Sequence, residues 1–124
     1  MDSKDLAVKA ATLLDSKKAQ DIEVLFVRDK TVLADYFVIA HGTSSTQVKA
    51  LADEAEDKLA AEGALCARRE GYDGASWVLL DYNDVILHIF QKETRAFFNL
   101  EKIWADAERL QLPGITGTKE DELR

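Results

Sequence analysis

The chain has 124 residues, 47% of them hydrophobic, and its 23 acidic and 16 basic residues give a formal net charge of −7. This length supports one core without metals or disulfides, and the acidic balance disfavours a direct grip on phosphates, so we expect no sequence-specific binding of nucleic acid. Cys66 is the only cysteine, and the sequence has neither a secretory signal pattern nor an apolar run long enough for a membrane span, so we expect a cytoplasmic protein.

The first third of the chain predicts one helix and two strands. Apolar side chains recur at helical spacing from Ser3 to about Lys18, and Ser3 is the expected N-cap. Residues 21–27 alternate apolar and mixed positions, which is typical of a half-exposed strand. Residues 35–40 are almost continuously apolar, which predicts a strand covered on both faces near the centre of a sheet.

The next helix has the clearest start and end signals in the chain. Ser44 and Gln47 have the spacing of a capping box, apolar residues follow in helical register, and Gly63 ends the pattern. A weaker strand over residues 64–70 and a loop over residues 71–74 then lead to a strongly apolar segment.

The Gly42-Thr43-Ser44 segment has a composition that suits a bound anion. It lies between a buried strand and a helix N-terminus, where free amides and the positive end of the helix dipole favour phosphate. The same residues serve ordinary helix capping, and neither a Walker lysine nor a dinucleotide glycine pattern accompanies them, so capping is the favoured interpretation. A nucleotide-binding or nucleotidyltransferase enzyme that uses this loop is the alternative function.

The sequence offers little else for catalysis. Two-metal nucleotidyl transfer requires clustered carboxylates, typically an Asp-x-Asp pair, and no such pair occurs. His41, His88 and Cys66 do not stand at zinc spacing from one another, and Cys66 lies mid-strand without an activating context. We therefore expect no catalytic residue, no metal and no cofactor.

Residues 77–82 and 85–90 predict two strands joined by the two-residue turn Asn83-Asp84. A loop of that length gathers apolar side chains from both strands on one face, which should be core. The opposite face mixes a carboxylate and an imidazole with large apolar groups, which suits a protein partner better than solvent or a sealed interior. That face consists of Trp77, Leu79, Asp81, Ile86, His88 and Phe90.

Residues 94–104 predict a helix directly after the hairpin. An apolar stripe at helical spacing should bury it, whereas Phe98 lies off the stripe with Arg95 and Glu101 one turn to either side. An aromatic residue beside charges is a candidate anchor for another protein, although a single exposed Phe is also common without any function. The stripe consists of Ala96, Phe97, Leu100, Ile103, Trp104 and Ala107.

These elements together predict the fold class. Their order is helix, strand, strand, helix, strand, strand, strand, helix, so we expect an α/β domain with a mixed β-sheet and flanking helices. We place this domain at residues 1–107. Residues 108–124, which contain Pro113, two glycines and a charged run, are expected to form a disordered tail.

Short sequence blocks follow one another in a specific order and spacing. They are Asp35–Ser45, Glu70-Gly71, Trp77–Asp81, Asp84–Ile89, Arg95 and Leu100–Trp104. Together these blocks closely resemble the ribosomal silencing factor (Iojap) family, and the resemblance covers about Asp5 to Ala105. Two positions depart from the family pattern: Phe98 stands where Tyr is usual, and His41 stands where a small residue is common.

The resemblance implies a nucleotidyltransferase-like fold that lacks the catalytic carboxylates, in a protein that is not an enzyme. It also implies binding to the large ribosomal subunit through the fourteenth protein of that subunit, which blocks association with the small subunit and represses translation under nutrient limitation. Family members tend to form homodimers when free. The hairpin, the helix and the resemblance together give the expected partner-binding residues, which are Trp77, Leu79, Asp81, His88, Arg95, Phe98 and Glu101.

Overall fold

The chain forms one six-stranded mixed sheet with two long helices on one face, and the computed structural model describes residues 1–115. The predicted order of the eight elements is confirmed, and a short fourth helix and a short sixth strand follow them. The elements are α1 (Ser3–Ser16), β1 (Gln20–Phe26), β2 (Tyr36–Gly42), α2 (Ser45–Ala61), β3 (Arg68–Glu70), β4 (Trp77–Asp81), β5 (Val85–Gln91), α3 (Lys92–Phe98), α4 (Leu100–Ile103) and β6 (Glu108–Arg109).

The strands lie side by side in the order β3-β4-β5-β2-β1-β6. β2 and β5 run parallel at the centre, and the other neighbouring pairs are antiparallel. Every residue of β2 is buried, so the prediction of a central strand covered on both faces is confirmed. The mixed sheet with flanking helices is the predicted fold class.

Side chains cap the N-termini of the two long helices. The Asp2 carboxylate accepts a hydrogen bond from the backbone N–H of Asp5 at 2.8 Å, so Asp2 caps α1 and the prediction of Ser3 as N-cap is wrong. The physical reason is that Asp2 caps as well as a serine does and allows Ser3 to join the first turn. The Ser44 hydroxyl accepts from the N–H of Gln47 at 3.1 Å, which confirms the predicted cap of α2.

The β4–β5 hairpin has the predicted register. Val78 lies opposite Ile89 and Leu80 lies opposite Leu87, and all four side chains are fully buried. Asn83 has the left-handed backbone conformation, with φ 69°, that a tight turn requires and that asparagine tolerates. One face of the hairpin therefore packs into the first core, which lies between the sheet and α1 and α2, and the other face points away from these helices.

The opposite face of the sheet carries a second, smaller apolar cluster. Half-buried Trp77, Leu79, Leu100 and Trp104 pack against its buried members. The helices on this side, α3 and α4, are only seven and four residues long, so they cover the face in part. The buried members are Leu25, Val27, Ala34, Phe37, Ile39, Ile86, Phe90 and Ala107.

The C-terminal helical segment differs from its predicted form. Asn99 has the left-handed conformation, with φ 49°, and splits the segment into α3 and α4. A single helical repeat therefore cannot run through residues 94–104. Ala96, Phe97 and Ile103, predicted to lie on a buried stripe, are exposed, so the stripe is wrong at these positions. The remaining members, which do pack on the second cluster, are Leu100, Trp104 and Ala107.

The fold continues beyond the predicted domain boundary at residue 107. β6 pairs antiparallel with β1, the N–H of Leu110 donates to the carbonyl of Val24 at 2.9 Å, and Ile115 is buried in the first core. Residues 108–115 are thus ordered, contrary to the expected tail, because the edge of β1 offers hydrogen bonds and the core accepts an isolated apolar side chain. The rest of the predicted tail, residues 116–124, lies outside the described residues.

Candidate docking surface

A connected layer of rings covers the sheet face that lies opposite α1 and α2. The strands contribute four rings and the C-terminal helical region contributes three, and neighbouring centroids are 4.9 to 6.4 Å apart. Contacts of this kind stabilise a rigid surface beyond the area that they bury. We call this layer the aromatic face, and its members are Phe37, Trp77, His88, Phe90, Phe97, Phe98 and Trp104.

The outer part of the aromatic face is open to solvent. Phe97 exposes 81% of its surface and Phe98 exposes 47%, while Trp77 and Trp104 are half-buried. Ile103, on the neighbouring α4, is 66% exposed. Large apolar surfaces are seldom left exposed without a role, and aromatic residues are enriched where proteins bind each other. Among the described residues, this surface is the strongest candidate for a binding site.

Trp77 connects the exposed rings to the buried ones. Its ring stacks on Phe90 at 4.9 Å and contacts Phe98 at 5.0 Å, and its indole N–H donates to Nδ1 of His88 at 3.1 Å. An indole nitrogen only donates, so Nε2 of His88 carries the imidazole proton. His88 is buried, which corrects its predicted place on the contact surface: the imidazole holds Trp77 from beneath.

His88 should make the stability of the fold depend on pH. Burial lowers the pKa of His88 from 6.5 to about 4, because the imidazolium is poorly solvated there. The unfolded chain binds this proton near pH 6.5 and the folded chain does not, so stability is present above that pH and is lost as the pH falls toward 4. We expect His88 to lower the free energy of unfolding by roughly 2 kcal/mol between pH 7 and pH 4.5.

Urea unfolding at both pH values, with His88→Gln as the comparison, measures this effect. Glutamine cannot titrate but can still accept the hydrogen bond from Trp77. His41, whose pKa is lowered by burial and by the nearby Arg95, and the carboxylates titrate in both proteins. The variant should therefore lose less stability on acidification, and equal losses in the two proteins would contradict the assignment.

Arg95 points into the protein, with 5% of its side chain exposed, so the prediction that it contacts a partner is corrected. Its Nε donates to Glu101 Oε2 at 3.1 Å, Nη2 donates to Glu23 Oε2 at 3.3 Å, and Nη1 donates to His41 Nδ1 at 3.0 Å. The acidic side chains of β1 and α4 draw the guanidinium inward and satisfy its donors. Glu101, also predicted as a contact, uses one carboxylate oxygen on Arg95. We call Arg95, Glu23, Glu101 and His41 the Arg95 cluster.

Leu79 and Asp81 lie on the same side of β4 as Trp77, as the alternation of the strand predicts. Leu79 is half-buried against the second cluster. The carboxylate of Asp81 accepts from the N–H of Asn83 at 2.8 Å, so it stabilises the hairpin turn. Leu79 therefore borders the aromatic face, whereas Asp81 shapes the end of the hairpin.

Sequence reasoning misses several residues that build this surface. The helical repeat assigns Phe97 and Ile103 to the core, and Asn99 is the signal that could have corrected it, because asparagine often ends a helix in the left-handed conformation. Glu23 carries no such signal. It lies 72 residues before Arg95, and their contact depends on the tertiary fold.

In the Gly42-Thr43-Ser44 segment, the N–H and hydroxyl of Thr43 already donate hydrogen bonds within the chain. Oε1 of Gln47 accepts from the N–H of Thr43 at 2.7 Å and from its hydroxyl at 3.0 Å. A Cβ built at Gly42 would lie 2.9 Å from the same oxygen, so the Gln47 side chain fills the space beside the loop. This geometry favours helix capping over phosphate binding.

Within residues 1–115, no group of three His, Cys, Asp or Glu side chains is arranged to hold a metal ion. No helix in that range is long and apolar enough to cross a membrane.

The thiol of Cys66 lies 3.2 Å from the carbonyl oxygen of Arg68, and burial raises the pKa of the thiol, so Cys66 lacks the thiolate character of a nucleophile.

Comparisons with a family model, with relatives and with solved structures each give a match. A family model described as "Ribosomal silencing factor during starvation" matches residues 1–123. A Halalkalibacterium halodurans protein named ribosomal silencing factor RsfS is 40% identical over 115 residues, which is 93% of this chain and 98% of that protein. A mouse protein named "Mitochondrial assembly of ribosomal large subunit protein 1" is 31% identical over 96 residues, 75% of this chain and 42% of that protein. A crystal structure of a Chromobacterium violaceum protein, 28% identical, matches with a TM-score of 0.83 and covers 98% of this chain and 99% of that chain.

Proposed function

Because the chain belongs to the family of ribosomal silencing factors, we propose that it binds the large ribosomal subunit through the fourteenth protein of that subunit. Binding at this place blocks association with the small subunit and represses translation under nutrient limitation. The observation that carries the proposal is the exposed aromatic face, which is a surface of the kind that binds another protein. The name of the mouse relative, which refers to assembly of the large ribosomal subunit, supports the choice of subunit.

The outer part of the aromatic face is the docking surface in this proposal. Aromatic side chains that lose their solvent at the centre of an interface contribute most of the binding energy. Buried His88 lies beneath Trp77 and holds its ring through the hydrogen bond from the indole N–H. The proposed contact residues are Trp77, Leu79, Phe97, Phe98 and Ile103.

Charge supports a protein partner over RNA. The chain carries a net charge of −7, and long-range attraction steers an acidic protein toward the basic proteins of a ribosome. The two adjacent arginines of β3 are engaged within the chain: Arg68 lies 3.4 Å from Glu70, and Arg69 lies 3.0 Å from Glu56. These guanidinium groups are exposed, and the carboxylates beside them weaken their attraction for phosphates.

Silencing by this route needs no chemical step. A domain bound where the two subunits meet prevents their joining by excluded volume, provided that its affinity competes with that of the small subunit.

We further propose that the fold is nucleotidyltransferase-like without the catalytic carboxylates. The absence of a two-metal site in this proposal is supported by Asp21 and Glu23 of β1, whose carboxylates lie 4.0 and 3.3 Å from Arg95 Nη2 and so face a guanidinium and not a metal ion.

The alternative, a nucleotide-binding enzyme that uses the Gly42-Thr43-Ser44 loop, makes a different prediction. We expect titration of the protein with ATP, GTP or CTP and magnesium to give no saturable heat, because the Gln47 side chain already takes the Thr43 donors. Isothermal calorimetry measures this directly. A dissociation constant in about the micromolar range for any of the three nucleotides would favour the enzyme over the silencing factor as the function of this protein.

The family resemblance adds two further parts to the proposal. Free chains form a homodimer, and the protein resides in the cytoplasm with the ribosomes that it binds. Sedimentation equilibrium of the purified protein, over a range of concentrations, measures the first part, and a monomer at every concentration would remove it.

Pelleting with separated ribosomal subunits tests the proposed function. The protein should sediment with large subunits and stay in the supernatant with small subunits, because only the large subunit carries the proposed partner. Equal sedimentation with both subunits, or with neither, would overturn the proposal.

A further inference from the structure

The C-terminal helices are fixed to the sheet in an unusual way. Arg95 is the only buried residue of α3, and α4 has none. A short surface helix ordinarily packs by an apolar stripe, and here the apolar side chains Phe97 and Ile103 face solvent instead. Apart from the half-exposed Phe98 on Trp77 and the half-buried Leu100 on the second cluster, the position of these helices on the sheet therefore depends on one charged side chain.

The contacts of Arg95 join four elements. The guanidinium of α3 binds Glu101 of α4, Glu23 of β1 and His41 of β2, at 3.1, 3.3 and 3.0 Å. The second carboxylate oxygen of Glu23 accepts from Nε of Arg109, at the β6 edge of the sheet, at 2.8 Å. The planar guanidinium of Arg95 thus connects α3 and α4, which meet at Asn99, to the strands beneath them.

We propose that Arg95 is a positioning residue for docking: it holds Phe98 against Trp77 through Glu101 and Glu23, and it touches no partner itself. This inference rests on the proposed function. Phe98 lies three residues after Arg95, and its ring is 5.0 Å from that of Trp77, so a shift of α3 changes the shape of the aromatic face directly. The burial of Arg95 separates this role from that of a contact residue.

A buried guanidinium suits this task because its removal leaves a partly buried carboxylate without its ion-pair partner. Without it, the partly buried carboxylate of Glu101 loses the ion pair with Arg95, and its other oxygen already has no hydrogen-bond partner among the described residues. Glu101 would then move toward solvent and displace α4 and, with it, the rings on α3. Lysine keeps the charge but loses the fork that reaches three acceptors at once.

The variant Arg95→Lys tests the proposal, with Arg109→Lys as the matched control. Arg109 binds the same carboxylate, Glu23, from the other side, and 43% of its side chain is exposed. We expect Arg95→Lys to weaken binding to large subunits by about tenfold and Arg109→Lys by less than about threefold. In the NMR spectrum, the nuclear Overhauser contact between the Phe98 ring and the Trp77 indole should disappear only in Arg95→Lys.

A double-variant cycle distinguishes positioning from contact. If Arg95 acts through the ring of Phe98, then Arg95→Lys should weaken a Phe98→Ala protein by less than about threefold, because that ring is already gone. A further loss of about tenfold in that background would show a direct contact and overturn the proposal. So would unchanged binding of Arg95→Lys with the contact between Phe98 and Trp77 intact.

Two safeguards keep the test decisive. Where Arg95→Lys does not fold, Glu101→Gln keeps the volume, removes one charge partner of Arg95, and should show the same loss of binding and of the ring contact. Where the unaltered protein does not bind large subunits, the proposed function fails, yet the NMR contact still reports whether Arg95 positions the rings. If the contact between the Phe98 ring and the Trp77 indole persists in Arg95→Lys, that result alone would overturn the positioning role.

Discussion

Replacing Phe97 and Phe98 together with alanine is expected to weaken binding to the large ribosomal subunit about 100-fold, which corresponds to about 2.7 kcal/mol. Both rings stand at the exposed end of the aromatic face, and neither is part of a core cluster. Their removal should therefore lower the free energy of unfolding by only about 1 kcal/mol, mainly through the lost contact between Phe98 and Trp77. A titration of fluorescently labelled protein with large subunits measures the loss.

Leu65→Ala is the control for this pair of substitutions. Leu65 is 75% exposed, so it is another large apolar side chain in solvent, but it lies between α2 and β3 and outside the aromatic face. Binding by this control should equal that of the unaltered protein. If the double phenylalanine variant also bound with unchanged affinity, the docking surface would have to lie elsewhere on the molecule.

Ending the chain after Ala107 is expected to cost about 3 kcal/mol or more of folding stability. The truncation removes β6 with its hydrogen bonds to β1, the Arg109 partner of Glu23, and Ile115 with its half-buried neighbours Leu110 and Leu112. Burial of one isoleucine contributes about 1.5 to 3 kcal/mol, and the lost strand pairing and the exposed core surface add to this. Urea unfolding followed by circular dichroism measures the difference.

A chain that ends after Ile115 is the matched comparison for that truncation. It keeps β6 and Ile115 and removes a segment composed mostly of glycine, threonine and charged residues, so its free energy of unfolding and its binding to large subunits should equal those of the full chain. A stable protein after truncation at Ala107 would mean that β6 and Ile115 add nothing to the fold. Loss of binding by the chain that ends at Ile115, with its free energy of unfolding unchanged, would show that residues 116–124 contact the partner.

The regular elements were predictable because their signals are local. Alternation in β4 and β5 and the turn at Asn83 fixed the hairpin register, and the continuous apolar run at 35–40 identified the central strand. The cap of α2 by Ser44 follows from the spacing of four adjacent residues. Each of these features depends on side chains within a few positions of one another.

The errors arose where distant contacts decide the outcome. The periodic pattern around Phe97 predicts a buried stripe, but Arg95 finds acceptors on β1 and β2 and turns inward, so Phe97 points to solvent. His88 looked like an exposed polar group among apolar ones, yet Trp77 supplies its hydrogen bond and covers it. A strand of two residues, β6, has too short a pattern to be recognised without its partner β1.

The most direct measurement of the central claim is a subunit-joining assay. Separated subunits are mixed in magnesium after preincubation of the large subunit with the protein, and the joined ribosomes are quantified on a sucrose gradient. We predict that the unaltered protein lowers the joined fraction in proportion to its occupancy of the large subunit, and that the Phe97→Ala, Phe98→Ala protein at the same concentration does not. Undiminished joining on large subunits that are saturated with the protein would contradict the account.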